Sequence, residues 1–193
     1  MTTVTELHIP EGAANPAYLN FSSDVQPIVY QPFINLINQL VQQGHDEVNI
    51  LMATNGGAVA TGVSLYNMLR ALPIRVVTHN VGNVESIGNI IFLAGEERFA
   101  APNATFMFHG VSWGTAGAFQ LNVPMLKQVL TSLEADEARI ASIVADRSSL
   151  TEETVKGFFR QGETKDAQYA LATGIITDIK HPTIPPGCPV HSL

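Results

Sequence analysis

The sequence predicts an α/β domain on a mainly parallel sheet. Two observations carry that prediction. Strand-length apolar runs alternate with helix-length amphipathic runs, and such alternation brings consecutive strands parallel through crossovers. The strand runs, such as 47–53 (EVNILMA), are also near-continuously apolar, as expected where both sheet faces are covered. With 193 residues, 46% of them hydrophobic, the chain is long enough for one substantial core.

Residues 1–17, with Pro10, Gly12 and Pro16, read as an N-terminal arm. A domain then runs over 18–180, and 181–193 is a Pro-rich tail. Residues 18–22 suit a short strand, with Ser22, Ser23 or Asp24 as a cap for the first helix. Ile28, Val29, Phe33, Ile34, Leu36, Ile37, Leu40 and Val41 form the stripe of that helix, which Gly44 closes. The strand at 47–53 leads through Thr54-Asn55-Gly56-Gly57 into a helix over 59–72, stopped by Pro73. A strand over 74–81 and a buried helix over 86–94 come next. Short strands over 98–101 and 105–108 flank the Pro102-Asn103 turn. Residues 110–117 are rich in Gly, Ser and Thr. A long helix is expected over 124–146, a short one from Thr151, another over 167–173 ended by Gly174, and a late strand over 175–179.

Composition excludes several functions. The net charge is −7, which argues against nucleic acid as the main partner. Only 14% of residues are charged, against about 25% in typical soluble domains, so part of the surface is expected to be covered by other subunits. The single cysteine, Cys188, permits no internal disulfide, and no Cys/His group has zinc-site spacing. The N-terminus has no basic and apolar leader pattern, and no apolar run spans a membrane. A cytoplasmic protein with no metal and no membrane partner is the expectation.

Three places carry residues suited to chemistry. Gly56-Gly57, after a strand and before a helix, is either a tight turn or a donor of N–H groups to an oxyanion or a phosphate. The pair lacks dinucleotide-fingerprint and phosphate-loop spacing. Ser86, at the mouth of a buried helix, is either an N-cap or a nucleophile. His109 ends an apolar strand 23 residues later, as a satisfied core histidine or as a base. His79 reads as structural, and His8, His45, His181 and His191 as solvated. Trp113 and Phe119 belong to the core or to the walls of a peptide groove. Glu134, Asp136 and Glu137 read as a solvated helix face.

Together these pieces resemble the proteolytic subunit of the Clp protease family. The family motif I-N-S-P-G-G corresponds to 51–57, ending M-A-T-N-G-G, with Gly62 and Tyr66 at family spacing after it. The serine block G-x-A-A-S-M-G-A corresponds to 82–89, G-N-V-E-S-I-G-N. The histidine motif L-P-N-S-x-x-M-x-H corresponds to 101–109, A-P-N-A-T-F-M-F-H. The late A-x-x-x-G-[LI]-[IV]-D corresponds to 170–178, with one extra residue before the Asp.

The resemblance implies a ClpP/crotonase-like fold of stacked ββα repeats with a protruding handle helix from Pro124. It implies a serine endopeptidase in which Ser86 attacks a peptide carbonyl, His109 moves the proton, and the N–H groups of Gly57 and Ile87 hold the oxyanion. Gly110, Val111, Ser112, Trp113 and Gly114 would line an extended peptide or unfolded-protein substrate. The implied assembly is a homo-oligomer of seven-membered rings fed by an ATP-dependent unfoldase. ATP would enter only through that partner, and the chain itself needs no cofactor.

Three departures accompany the resemblance. The family's aspartate position is Gly162, with Glu163 the first candidate substitute and Asp166 the second. Val84-Glu85 replaces two alanines before the serine. The arm lacks the family's gate-forming segment. They raise the alternative of a catalytically weak homologue serving as a ring partner or scaffold. A further alternative is an acyl-CoA enzyme of the crotonase type.

Overall fold

The first strands lie side by side because helices carry the chain back over the sheet between them. The structure is a computed structural model and describes residues 15–114, 117, 120 and 122–193. The first strands are β1 (Pro16–Phe21), β2 (Glu47–Thr54) and β3 (Arg75–Glu85), separated by α1 (Pro27–Gln42) and α2 (Val59–Arg70). Then come α3 (Gly88–Phe92), β4 (Glu97–Ala100), β5 (Thr105–Phe108), α4 (Val123–Arg147) and α5 (Glu152–Gln161). The chain ends with β6 (Glu163–Asp166), α6 (Ala167–Ala172), β7 (Asp178–Ile179) and β8 (Val190–Ser192).

The sheet runs β6-β5-β3-β2-β1-β8. All its pairings are parallel except β5 with β6. The predicted α/β class with a mainly parallel sheet is therefore the class observed. Strand β3 is forked: Val77–Asn80 pairs with β4, while Asn83–Glu85 pairs with β5. The fork directs the second half of β3 toward the strand that leads into His109.

One face of the sheet is closed by helices. Leu19, Phe21, Val48, Ile50 and Met52 alternate into it and meet Phe33, Ile37 and Leu40 of α1 in one continuous core. The other face holds a cavity, lined by Tyr18, Asn49, Leu51, His79 and Phe99 and walled by the segment from Lys180 to Thr183. This second face is mixed: Leu51 and Phe99 are apolar, but Asn49 and His79 bring polar groups to the cavity.

Several boundaries differ from the sequence reading. Strand β1 begins at Pro16, inside the stretch read as the arm. Strand β3 runs on to Glu85, because residues 83–85 find partners in β5. That leaves α3 only five residues. Helix α1 has Gln26 at its N-cap with no side-chain cap, and Pro27 occupies the first turn in place of the Ser22, Ser23 or Asp24 cap. The late strand shrinks to Asp178–Ile179. Two strands lack a signal in the sequence. Strand β6 reads E-T-K-D, without apolar alternation, and β8 lies in the Pro-rich tail, where His191 pairs with Leu19. Residues 1–14 and Phe119 lie outside the described residues.

His79 is buried, and its Nε2–H donates to the Lys180 carbonyl at 2.8 Å. Burial, assisted by the neighbouring Lys180 and His181 charges, holds its pKa below the ordinary histidine value. The neutral form is therefore favoured in the folded state. Stability is held above about pH 6.5 and falls as pH drops through that value toward the folded-state pKa. In His79→Leu that part of the slope of the urea midpoint against pH should disappear. An unchanged slope would place the titration elsewhere.

Candidate active site

Strand β2 ends in a turn built to bring backbone N–H groups to one point. Gly56 has φ +88° and Gly57 φ +147°, both open to glycine. Val25 clamps the turn: its N–H donates to the Gly56 carbonyl at 2.7 Å, and its carbonyl accepts from Ala58 N–H at 2.7 Å. A Cβ on Gly57 would press into that Val25 carbonyl oxygen. Among the described residues, the Gly57 N–H itself has no protein acceptor.

Ser86 comes directly after β3, in a strand-to-helix turn. Its φ is +54°, the one positive value at a non-glycine among the described residues. Such a conformation costs about 1–3 kcal/mol and is held by its surroundings. Two groups hold it. Ser86 N–H donates to the Met107 carbonyl at 2.8 Å. The Asn89 side-chain amide donates to the Ser86 carbonyl at 3.0 Å and the Met107 carbonyl at 2.8 Å. Ser86 is not the helix cap: the N-cap position of α3 is Ile87, and no side chain caps it. Ile87 N–H also lacks a protein acceptor among the described residues. The Ile87 side chain packs so closely on α2 that a Cβ on Gly62 would collide with it.

His109 directly follows β5, the strand paired with the end of β3. Ser86, Ile87, Gly57, Asn89 and His109 line one cleft, together with Val111, Ser112, Ile140 and Phe159. The Nδ1 of His109 lies 2.8 Å from the Gly110 carbonyl. A carbonyl only accepts, so Nδ1 carries a proton, and in the neutral ring Nε2 keeps its lone pair. That is the tautomer a general base needs. No hydrogen bond joins Ser86 Oγ to His109 in this state; such bonds commonly tighten only when substrate arrives.

The segment after His109 leaves the sheet and is tied from two sides. Gly110 N–H donates to the Phe159 carbonyl at 3.1 Å, and Val111 N–H to Glu137 Oε1 at 3.1 Å. Val111 and Ser112 line the cleft. Trp113 is 45% exposed, so it is not a core residue. Gly114 continues the same extended segment.

The acidic residues near the cleft have separate partners. Glu163 stands opposite Phe108 in the antiparallel β5–β6 pair, one residue from His109. Its carboxylate is held by Lys165 and makes no bond to His109. Asp166 pairs with Thr105 at the far end of β5 and caps α6 by accepting from Tyr169 N–H at 2.8 Å. Gly162, with φ +67°, is the C-cap of α5. Glu85 accepts from Asn83 at 3.0 Å and is outside the cleft lining. Among the described residues no group of three or more His, Cys, Asp or Glu is placed to hold a metal. No helix among them is long and apolar enough to cross a membrane.

Two residues of the site escape the sequence reading. Asn89 is 2% exposed and pins the serine turn to β5. Its signal is an amide inside an otherwise apolar helix. Glu137, read as part of a solvated face, turns toward Val111 instead.

The chain and its fold have known relatives. A solved structure, a mutant of ClpP1 from Listeria monocytogenes, superposes with a TM-score of 0.74 at 20% identity, over 86% of this chain and 91% of that one. The ATP-dependent Clp protease proteolytic subunit 1 of Streptomyces avermitilis is 28% identical over 116 residues, which is 59% of this chain. The chain spans about half the length of that curated relative, 52%. The model of the Clp protease family matches residues 15–183, from the first strand through the segment beside His79, and this chain is accordingly a member of the Clp protease family.

Proposed function

We propose that the protein is a serine endopeptidase that cuts peptides or unfolded protein by acyl-enzyme chemistry. One observation carries the reading: a serine held at φ +54° shares a cleft with two unpaired N–H groups and a histidine whose Nε2 is free. Ser86 Oγ attacks the substrate carbonyl carbon as its proton passes to His109 Nε2. The N–H groups of Gly57 and Ile87 stabilise the developing oxyanion. The C–N bond then breaks, and His109 returns the proton to the leaving amine. Water repeats the sequence on the ester and frees Ser86. Residues 110–114 lie along the substrate; with Val111 N–H engaged by Glu137, main-chain pairing there uses the other groups of the segment. Glu163 takes the third role only by leaving Lys165.

The same reading extends to assembly. The helix α4 exposes Val123, Leu126 and Leu130 on its first turns, large apolar side chains that suit a subunit contact. We place the chain in a cytoplasmic homo-oligomeric chamber of heptameric rings, supplied by an ATP-dependent unfoldase. A weak, scaffolding homologue is the second reading. It is favoured by a carbonyl, not a carboxylate, standing at His109 Nδ1. Intact-mass analysis after fluorophosphonate treatment separates the two. One adduct, absent in Ser86→Ala, is expected. No adduct on the assembled protein would favour the scaffold.

A further inference from the structure

We propose that Glu137 is a positioning residue for His109, acting through the peptide group that joins Gly110 to Val111. The inference rests on the peptidase reading above and adds to it the group that does the work of the missing aspartate.

The contact uses both ends of one peptide unit. Its carbonyl oxygen, on Gly110, accepts from His109 Nδ1–H at 2.8 Å. Its N–H, on Val111, donates to Glu137 Oε1 at 3.1 Å. The two bonds lie on opposite sides of a planar, conjugated group. A carboxylate on the N–H side polarises the peptide and makes its carbonyl a stronger acceptor. The carbonyl in turn fixes the imidazole tautomer and favours the imidazolium that forms when Ser86 loses its proton. No proton crosses the peptide.

Three features show that the arrangement is built in. Gly110 makes room for it: a Cβ there would lie 2.9 Å from Glu137 Oε1 and 3.3 Å from the Phe159 carbonyl. The segment is held on its other side as well, because Gly110 N–H donates to that Phe159 carbonyl. Glu137 has no cation partner among the described residues, so its charge is directed to Val111 N–H alone. Glu163, the nearer acid in the sheet, is neutralised by Lys165.

The test uses the full chain with ¹⁵N-labelled histidine. It reads the low-field Nδ1–H resonance of His109 and, separately, the rate of Ser86 labelling by a fluorophosphonate. In Glu137→Gln the side-chain oxygen still accepts from Val111 N–H but the charge is gone. The resonance should move upfield, and the labelling rate and kcat should fall about tenfold with KM within about twofold, because a charge-assisted bond has become a neutral one. Glu163→Gln should leave the resonance in place. An unmoved resonance in Glu137→Gln, or a larger shift in Glu163→Gln, overturns the assignment. Because the resonance needs no turnover, it decides the role of Glu137 even if wild-type Ser86 takes no label. That second result would remove the peptidase reading alone.

Discussion

Ser86→Ala is expected to lower peptide hydrolysis by at least about 10⁴-fold, with the fold intact. Its hydroxyl has no hydrogen-bond partner among the described residues, so removing it leaves no buried group unsatisfied. His109→Ala should cost a comparable factor. The double variant should cost no more than either single one, since nucleophile and base act as a unit. Ser86→Gly gives a sharper result. At φ +54° alanine keeps the strain and glycine relieves it. Ser86→Gly should therefore be inactive and about 1 kcal/mol more stable than Ser86→Ala by urea unfolding. Equal stability of the two would mean that the turn is not strained. Residual activity in Ser86→Ala near the wild-type level would remove the nucleophile assignment.

That pairing of strain and chemistry is only half legible in the sequence. The positions of Ser86, His109 and Gly57 can be read because each sits at the end of an apolar strand, where a parallel sheet delivers side chains to one edge. The turn itself is less legible. Residues 83–85 look like a loop, since Asn83 and Glu85 are polar, yet β5 captures them and the helix starts later. Glu137 is hidden by its neighbours. Glu134 and Asp136 make the run look solvated, but 137 falls on the same stripe as Ile140, Ala141 and Val144, which are buried. One turn before that apolar patch, a carboxylate faces the protein, and helical periodicity holds the signal. Strand β6 has no local signal at all: E-T-K-D is a strand because β5 offers it an edge. Its register puts Glu163 beside His109, while the composition of the same strand supplies Lys165 to occupy it.

The second large effect is expected at Arg98, far from the cleft and on the opposite end of α3. Arg98 is 8% exposed. Its guanidinium donates to the carbonyls of Ile175 at 2.7 Å, Gly95 at 3.0 Å, Gly174 at 2.9 Å and Arg147 at 3.1 Å. These oxygens lie at the C-terminal ends of α3, α4 and α6, where carbonyls are left over and the helix dipole is negative. Among the described residues no carboxylate pairs with the guanidinium. Burial, with Arg147 and Arg70 nearby, pushes its pKa down to about 10, so the cation is costly to hold and is held only because four oxygens converge on it. Arg98→Met fills the space, removes the charge and strands those oxygens. A loss of about 3–5 kcal/mol in urea unfolding is expected, read as a lower midpoint at unchanged slope. Arg98→Lys keeps a charge but not the planar fork, and should recover only part of the loss. A loss under about 1 kcal/mol for Arg98→Met would mean that Arg147, which donates to Leu93 at 3.1 Å and Gly95 at 2.8 Å, satisfies the helix ends alone. Below its unfolding transition the variant should still label at Ser86. The turn at Ser86 is pinned from β5 through Met107 and Asn89, not from the far end of α3, so stability and reactivity should separate in Arg98→Met.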